Sequence, residues 1–157
     1  MDLSQYLEIF IDESKEHLQT LNDQVLILES EPENVDTVNE IFRAAHSLKG
    51  MAGTMGYKRM QRLTHDMENV FSEIRNGKMN VNADLVDIVF KCLDALEGYL
   101  TNIIETSDEG TEDNDELIAQ LNAVLQNGLA GSGEAQAAAT KEETKEEKKP
   151  EGGDRRK

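Results

Sequence analysis

Apolar residues recur every three or four positions along most of the chain, and the strict alternation of a half-buried strand is absent. Leu3, Leu7, Phe10, Ser14, Leu18, Leu21, Val25 and Leu28 line one face of a long first helix. Glu31-Pro32-Glu33-Asn34 ends it, because proline cannot continue a helix and restricts the residue before it. A second helix is predicted from Val35 to Met55, with Val38, Ile41, Phe42, Ala45, Leu48 and Ala52 inward and Gly56 as its stop. A third runs from Tyr57 to Arg75 with Met60, Leu63, Met67, Val70, Phe71 and Ile74 inward, closed by Asn76-Gly77. Asn82 can cap a fourth, which carries Leu85, Val89, Cys92, Leu93, Leu96, Leu100 and Ile103. After a polar acidic loop, Thr106 to Asp113, a shorter helix holds Leu117, Leu121, Val124 and Leu125, with Asn127-Gly128 expected to stop it.

Four amphipathic helices joined by short connections pack most simply as an antiparallel up-down four-helix bundle. The expected fold is therefore all-α, with the extra fifth helix laid on the side or end of that bundle. Residues 1–129 would form one domain. Past Leu129 no large apolar residue occurs, and an Ala/Thr/Glu/Lys tract follows Gly131-Ser132-Gly133. A segment with nothing to bury cannot offset the entropy of ordering, so residues 130–157 read as a flexible linker or disordered tail, the tether of an N-terminal piece of a longer protein.

Charge adds a second layer. The 157 residues hold 32 acidic and 16 basic side chains, for a formal net charge of −16. Residues 130–157 carry seven of each, so the whole excess belongs to residues 1–129. Such a surface repels nucleic acid and anionic lipid. No run of about 18 apolar residues offers a membrane span. Met1-Asp2-Leu3-Ser4 lacks the basic start of a secretory signal. The single cysteine, Cys92, falls on the apolar stripe and is expected to be buried core; without a partner for a disulfide it fits a reducing compartment. The chain reads as cytoplasmic.

Between Glu40 and Asp66 the acidic residues stop, and that window contains Arg43, Lys49, Lys58, Arg59 and Arg62 together with His46 and His65. A basic island in an acidic domain suggests an anion site, such as a transient phosphate. At about 100° per residue, Ala45 faces the core while His46 stands at the solvent edge, with Phe42, Lys49, Gly50 and Gly53 on its flank. The glycines, each costing a helix interior up to about 1 kcal/mol, are expected to leave the space beside His46 open. His46 lies ten residues before Gly56, while His65 and Glu68 follow the turn closely, so an antiparallel hairpin brings them to nearly one level. A carboxylate accepting the Nδ1–H of His46 would leave Nε2 as an exposed nucleophile, and the Lys49 ammonium would stabilise phosphoryl oxygens. That combination suits a phosphohistidine carrier.

Residues 43–57, Arg-Ala-Ala-His-Ser-Leu-Lys-Gly-Met-Ala-Gly-Thr-Met-Gly-Tyr, strongly resemble the histidine-phosphotransfer (HPt) domain family in the form that opens chemotaxis kinases of the CheA type. Leu63-Thr64-His65-Asp66-Met67-Glu68-Asn69 and Phe10-Ile11-Asp12-Glu13-Ser14 are similar as well, and the resemblance covers residues 1–129. It implies that His46 is phosphorylated, Glu68 orients it, Lys49 assists at the phosphoryl group and His65 completes the hydrogen-bond network. It implies ATP as donor, bound not by this fragment but by the CheA kinase domain of the parent histidine kinase, acting in trans within a dimer. It implies an aspartate of the response regulators CheY and CheB as acceptor, and a monomeric fragment.

Two other readings compete. Di-metal bundles need Glu-x-x-His, but the residues three before His17, His46 and His65 are Ser14, Arg43 and Arg62. A non-catalytic helical adaptor binding through its acidic surface leaves the basic window unexplained. No Gly-rich nucleotide loop points to catalysis by this fragment alone. His17 is expected as plain surface, and Met51, Met55, Met60 and Met67 as core filling, those near the turn being available to a partner.

Overall fold

The computed structural model describes residues 3–132, and the tail beyond them lies outside the described residues. Five helices follow one another: α1 (Leu3–Ser30), α2 (Val35–Met55), α3 (Lys58–Arg75), α4 (Ala83–Thr106) and α5 (Asp115–Ser132). Helices α1 to α4 form the up-down bundle, each packed on two neighbours in the ring α1–α2–α3–α4, and α5 lies against α3 and α4. The apolar stripes meet along the axis, where Leu21, Val25, Ile41, Ala45, Leu48, Leu63, Met67, Phe71, Val89 and Leu96 are excluded from solvent. Ser14 keeps step with the stripe and is fully buried, its hydroxyl without a hydrogen-bond partner.

The helix ends follow local chemistry. The Asn34 side chain accepts the N–H of Thr37 at 3.0 Å and starts α2. At its other end Gly56 adopts φ +81°, while Gly56 and Tyr57 donate their N–H groups to the carbonyls of Gly53 and Ala52. This left-handed reversal needs glycine and turns the chain back into α3. Asn82 caps α4 by accepting the N–H of Leu85 at 2.9 Å.

The stop expected at Asn127-Gly128 does not occur, because α5 continues through Gly128 to Ser132. A Cβ at Gly128 would stand only 2.6 Å from Cε of Met79. Glycine serves there as a flat surface against the α3–α4 connection, not as a left-handed terminus.

The acidic loop between α4 and α5 has more structure than a polar connection. Helix α3 begins at Tyr57 without a side-chain cap of its own. Buried Glu109 supplies one from across the bundle: Oε2 accepts the N–H of Arg59 at 3.0 Å and Oε1 that of Met60 at 2.9 Å. The Tyr57 hydroxyl donates to the carbonyl of Ser107 at 2.9 Å, and that of Tyr99 to Glu112 at 2.5 Å. Replacing Glu109 with Ala strands two N–H donors of the first turn of α3, which costs about 1–3 kcal/mol. A thermal melt is expected to fall by roughly 5–10 °C, with Glu109→Gln losing less because its amide oxygen can still accept one donor.

Candidate functional site

The α2–α3 hairpin brings His46, Lys49 and Glu68 into direct contact. Glu68 is buried on the inner edge of α3, and its two oxygens are used differently. Oε2 lies 2.6 Å from Nδ1 of His46, and Oε1 lies 2.6 Å from Nζ of Lys49. The lysine contact is a tight ion pair and not a well-directed hydrogen bond. Burial alone would raise the Glu68 pKa, but Lys49 and His46 outweigh it and hold the carboxyl below its ordinary value. The carboxylate is therefore ionised at neutral pH and can only accept, so the proton in the short contact sits on Nδ1 of His46. Nε2 is left as the free ring nitrogen on a side chain 63% exposed.

His65 stands apart from this trio. Its Nδ1 lies 3.6 Å from Oδ1 of Asp66, and among the described residues no hydrogen bond joins it to His46, Lys49 or Glu68. The network expected to include His65 is thus not closed in this geometry. Its contact with Asp66 nevertheless raises its pKa, against burial and the charge of Lys49. His65 shares a shallow depression with Lys49, Lys58, Gln61 and Arg62.

The basic window is divided: Lys49, Lys58, Arg62 and His65 line that one depression, while Arg43 and Arg59 lie outside it. Arg59 pairs with Asp113 at 2.7 Å, Arg62 with Asp115 at 3.0 Å and Arg43 with Glu40 at 2.7 Å. Two of those arginines reach the start of α5 and the loop before it, while Lys49 and His46 are the members of the window in contact with Glu68. The two glycines also part company. A Cβ on Gly50 would meet nothing within 4 Å, whereas one on Gly53 would collide with the side-chain amide of Gln61. Gly50 keeps the approach to His46 open; Gly53 makes room for α3. Gly50→Ala is expected to stabilise the protein by about 0.5–1 kcal/mol in a urea melt, since it fills nothing and favours the helix.

On the α1 side of His46 lies an open groove of about 540 Å³, walled by Tyr6, Ile9, Met51 and Met55. Tyr6 and Ile9 are 52% and 44% exposed. His17 is half-buried and lines the same groove, so the expectation of plain surface is corrected: the packing of α1 on α2 sets it beside the site. Met60 and Met67 are core, while Met51 and Met55 are partly exposed groove wall. Cys92 is buried, and burial pushes its thiol up to about 12, which leaves it un-ionised. No cluster of three or more His, Cys, Asp or Glu side chains able to hold a metal occurs among the described residues. None of the described helices is long and apolar enough to cross a membrane.

A helical bundle that presents one solvent-facing histidine, its inner nitrogen tied to a buried carboxylate paired with lysine, defines a histidine phosphotransfer module. The Hpt domain model matches residues 5–127, and the chain belongs to that family. Chemotaxis protein CheA of Bacillus subtilis is 53% identical over 121 residues, which cover 77% of this chain and 18% of that protein. CheA of Salmonella typhimurium is 36% identical over 138 residues, covering 88% of this chain and 20% of that protein. The chain thus spans about a fifth of the length of the curated relatives it matches. Among solved structures, the CheA phosphotransferase domain from Thermotoga maritima is 43% identical with a TM-score of 0.63, covering 66% of this chain and 99% of that one. The phosphorylated P1 domain of CheA3 in complex with CheY6 from R. sphaeroides shares the fold, with a TM-score of 0.74 at 19% identity over 80% of this chain and 99% of that one.

Proposed function

We propose that the domain carries a phosphoryl group on His46 within a cytoplasmic chemotaxis kinase of the CheA type. The observation that carries this reading is the contact between exposed His46 and the buried, Lys49-paired Glu68. Nε2 attacks the γ-phosphorus of ATP held by the CheA kinase domain, in trans within a dimer; the γ-phosphorus–oxygen bond breaks and ADP leaves. The imidazole becomes cationic as the phosphorus–nitrogen bond forms; it keeps its Nδ1 proton, which goes on donating to the Glu68 carboxylate, and that anion stabilises the new charge. Lys49 keeps Glu68 ionised and places a cation near the incoming phosphoryl oxygens. His65 stands beside them as a supporting group in the depression it shares with Lys49. An aspartate oxygen of a response regulator, CheY or CheB, then attacks the phosphorus, the phosphorus–nitrogen bond breaks and the neutral imidazole returns. The fragment itself holds no cofactor in this scheme.

The relative captured as a P1 domain with CheY6 supports a regulator as the next acceptor. The exposed groove beside His46 gives such a partner an apolar surface to rest on. Incubation with ATP and a CheA-type kinase domain is expected to put an acid-labile, alkali-stable label on this chain. A chain that stays unlabelled while the kinase domain hydrolyses ATP would overturn the reading and leave the adaptor alternative.

A further inference from the structure

The hydrogen bond that Nδ1 of His46 donates to Glu68 fixes one edge of the ring but not its plane, since an imidazole can still tilt about a single contact. A second contact acts on the plane. Phe42, one helical turn earlier on α2, lies nearly parallel to His46, with ring centroids 6.2 Å apart and an interplanar angle of 10°. Phe42 is only partly buried, so the core does not by itself dictate its ring orientation. Arg75, in the last turn of α3, lays its guanidinium over the Phe42 ring, 4.5 Å from the centroid. Arg75 is exposed and, among the described residues, has no carboxylate partner within ion-pair distance. Its planar cation is therefore free to stack on the aromatic face, an interaction worth most to arginine.

From this column we infer that Phe42, clamped by Arg75, is a positioning residue for the His46 imidazole in phosphoryl transfer. Helix α3 thus holds the histidine twice, by Glu68 at the ring edge and by Arg75 through Phe42 at the ring plane. Together the two contacts keep Nδ1 on its acceptor and aim Nε2 along a single line of attack. In-line displacement at phosphorus is sensitive to that line, because reaction is fast only from a near-attack geometry. The inference rests on the phosphocarrier reading for its rate consequence, but not for its structural content.

Four variants of this chain test it: Phe42→Leu, Phe42→Tyr, Arg75→Gln and Arg75→Lys. Nitrogen-15 spectra of the unphosphorylated His46 ring report its tautomer and its exchange between states. Rates under saturating kinase domain and ATP, and the KM for this domain, report the transfer. Phe42→Leu is expected to mix the His46 tautomers and slow the saturated rate ~10-fold with KM nearly unchanged, as a misaimed nucleophile would. Phe42→Tyr restores the ring and should return the rate to within about twofold. Arg75→Gln should slow it ~2–3-fold with the same spectral change in weaker form, and Arg75→Lys should recover part of that loss. Wild-type ring spectra and wild-type rates in both Phe42→Leu and Arg75→Gln would overturn the inference. So would an equal loss in the Leu and Tyr variants that only tracks a lowered melting temperature. Should Phe42→Leu fail to fold, exposed Arg75→Gln decides alone. If wild type itself takes no label, the carrier reading fails, while the ring spectra still settle whether the column orients His46.

Discussion

His46→Gln is expected to abolish the acid-labile label on this chain while leaving its fold in place. The label requires a ring nitrogen with a free lone pair, and a glutamine amide has none of comparable nucleophilicity. The side chain is 63% exposed and fills no core space, so the substitution should move stability by less than about 0.5 kcal/mol. Glutamine can also donate an amide N–H to Glu68, which spares the buried carboxylate from losing its partner. The measurement pairs a phosphorylation assay with a urea melt. Persistent label on the variant would move the acceptor to another residue. Loss of label together with a collapse of the melt would make His46 structural.

Glu68→Gln should give the second-largest effect, slowing phosphorylation by about 10–100-fold. Ionised Glu68 accepts at Nδ1 and so puts the proton there. A glutamine amide can turn its N–H towards the same atom, which favours the opposite tautomer and protonates Nε2, the nucleophile. Glu68→Ala removes the acceptor without supplying a competing donor, and should be impaired less in tautomer though not in alignment. Stability responds as well, because the carboxylate is buried and Lys49 depends on it. The pKa of Glu68 is depressed in the fold, so its contribution is fully present above the ordinary carboxylate value and disappears as pH falls through the lower folded one. Wild type should therefore exceed Glu68→Gln in stability by about 1–2 kcal/mol at neutral pH, with the gap closing in the acidic window below the usual carboxylate range. Urea melts across that window check the sign. A gap that widens on acidification would mean that burial, not the Lys49 and His46 contacts, controls this carboxyl.

Much of this could be read along the chain. Pro32 cannot continue α1, Gly56 tolerates the left-handed reversal, and the Asn34 and Asn82 side chains reach backbone donors three residues ahead. These are effects of neighbours in sequence, so the end of α1, the start of α2, the α2–α3 reversal and the start of α4 follow from local residue order. The level of Glu68 with His46 could likewise be counted from the turn, because two antiparallel helices rise equally on either side of it. The basic window was legible too, but not its use. Arg59 and Arg62 bind acids about fifty residues away, which no local spacing encodes. A weaker sign existed for Glu109: Tyr57 is no capping residue, which leaves the first N–H groups of α3 to water or to a distant acceptor.

What the amino-acid order determined by itself is the set of helices, the apolar face of each and the presence of one histidine at a solvent edge near a turn. Periodicity and capping act over a few residues, and nothing remote can override four such stripes at once. The tertiary structure alone decided how side chains from different helices divide the work. It placed Arg75 on Phe42 and Phe42 beside His46, set His17 in the groove, fitted Gly128 against Met79 and left His65 outside the trio. Each of those outcomes depends on the rotation of one helix against another, and shared packing of the core, not spacing along the chain, sets that angle.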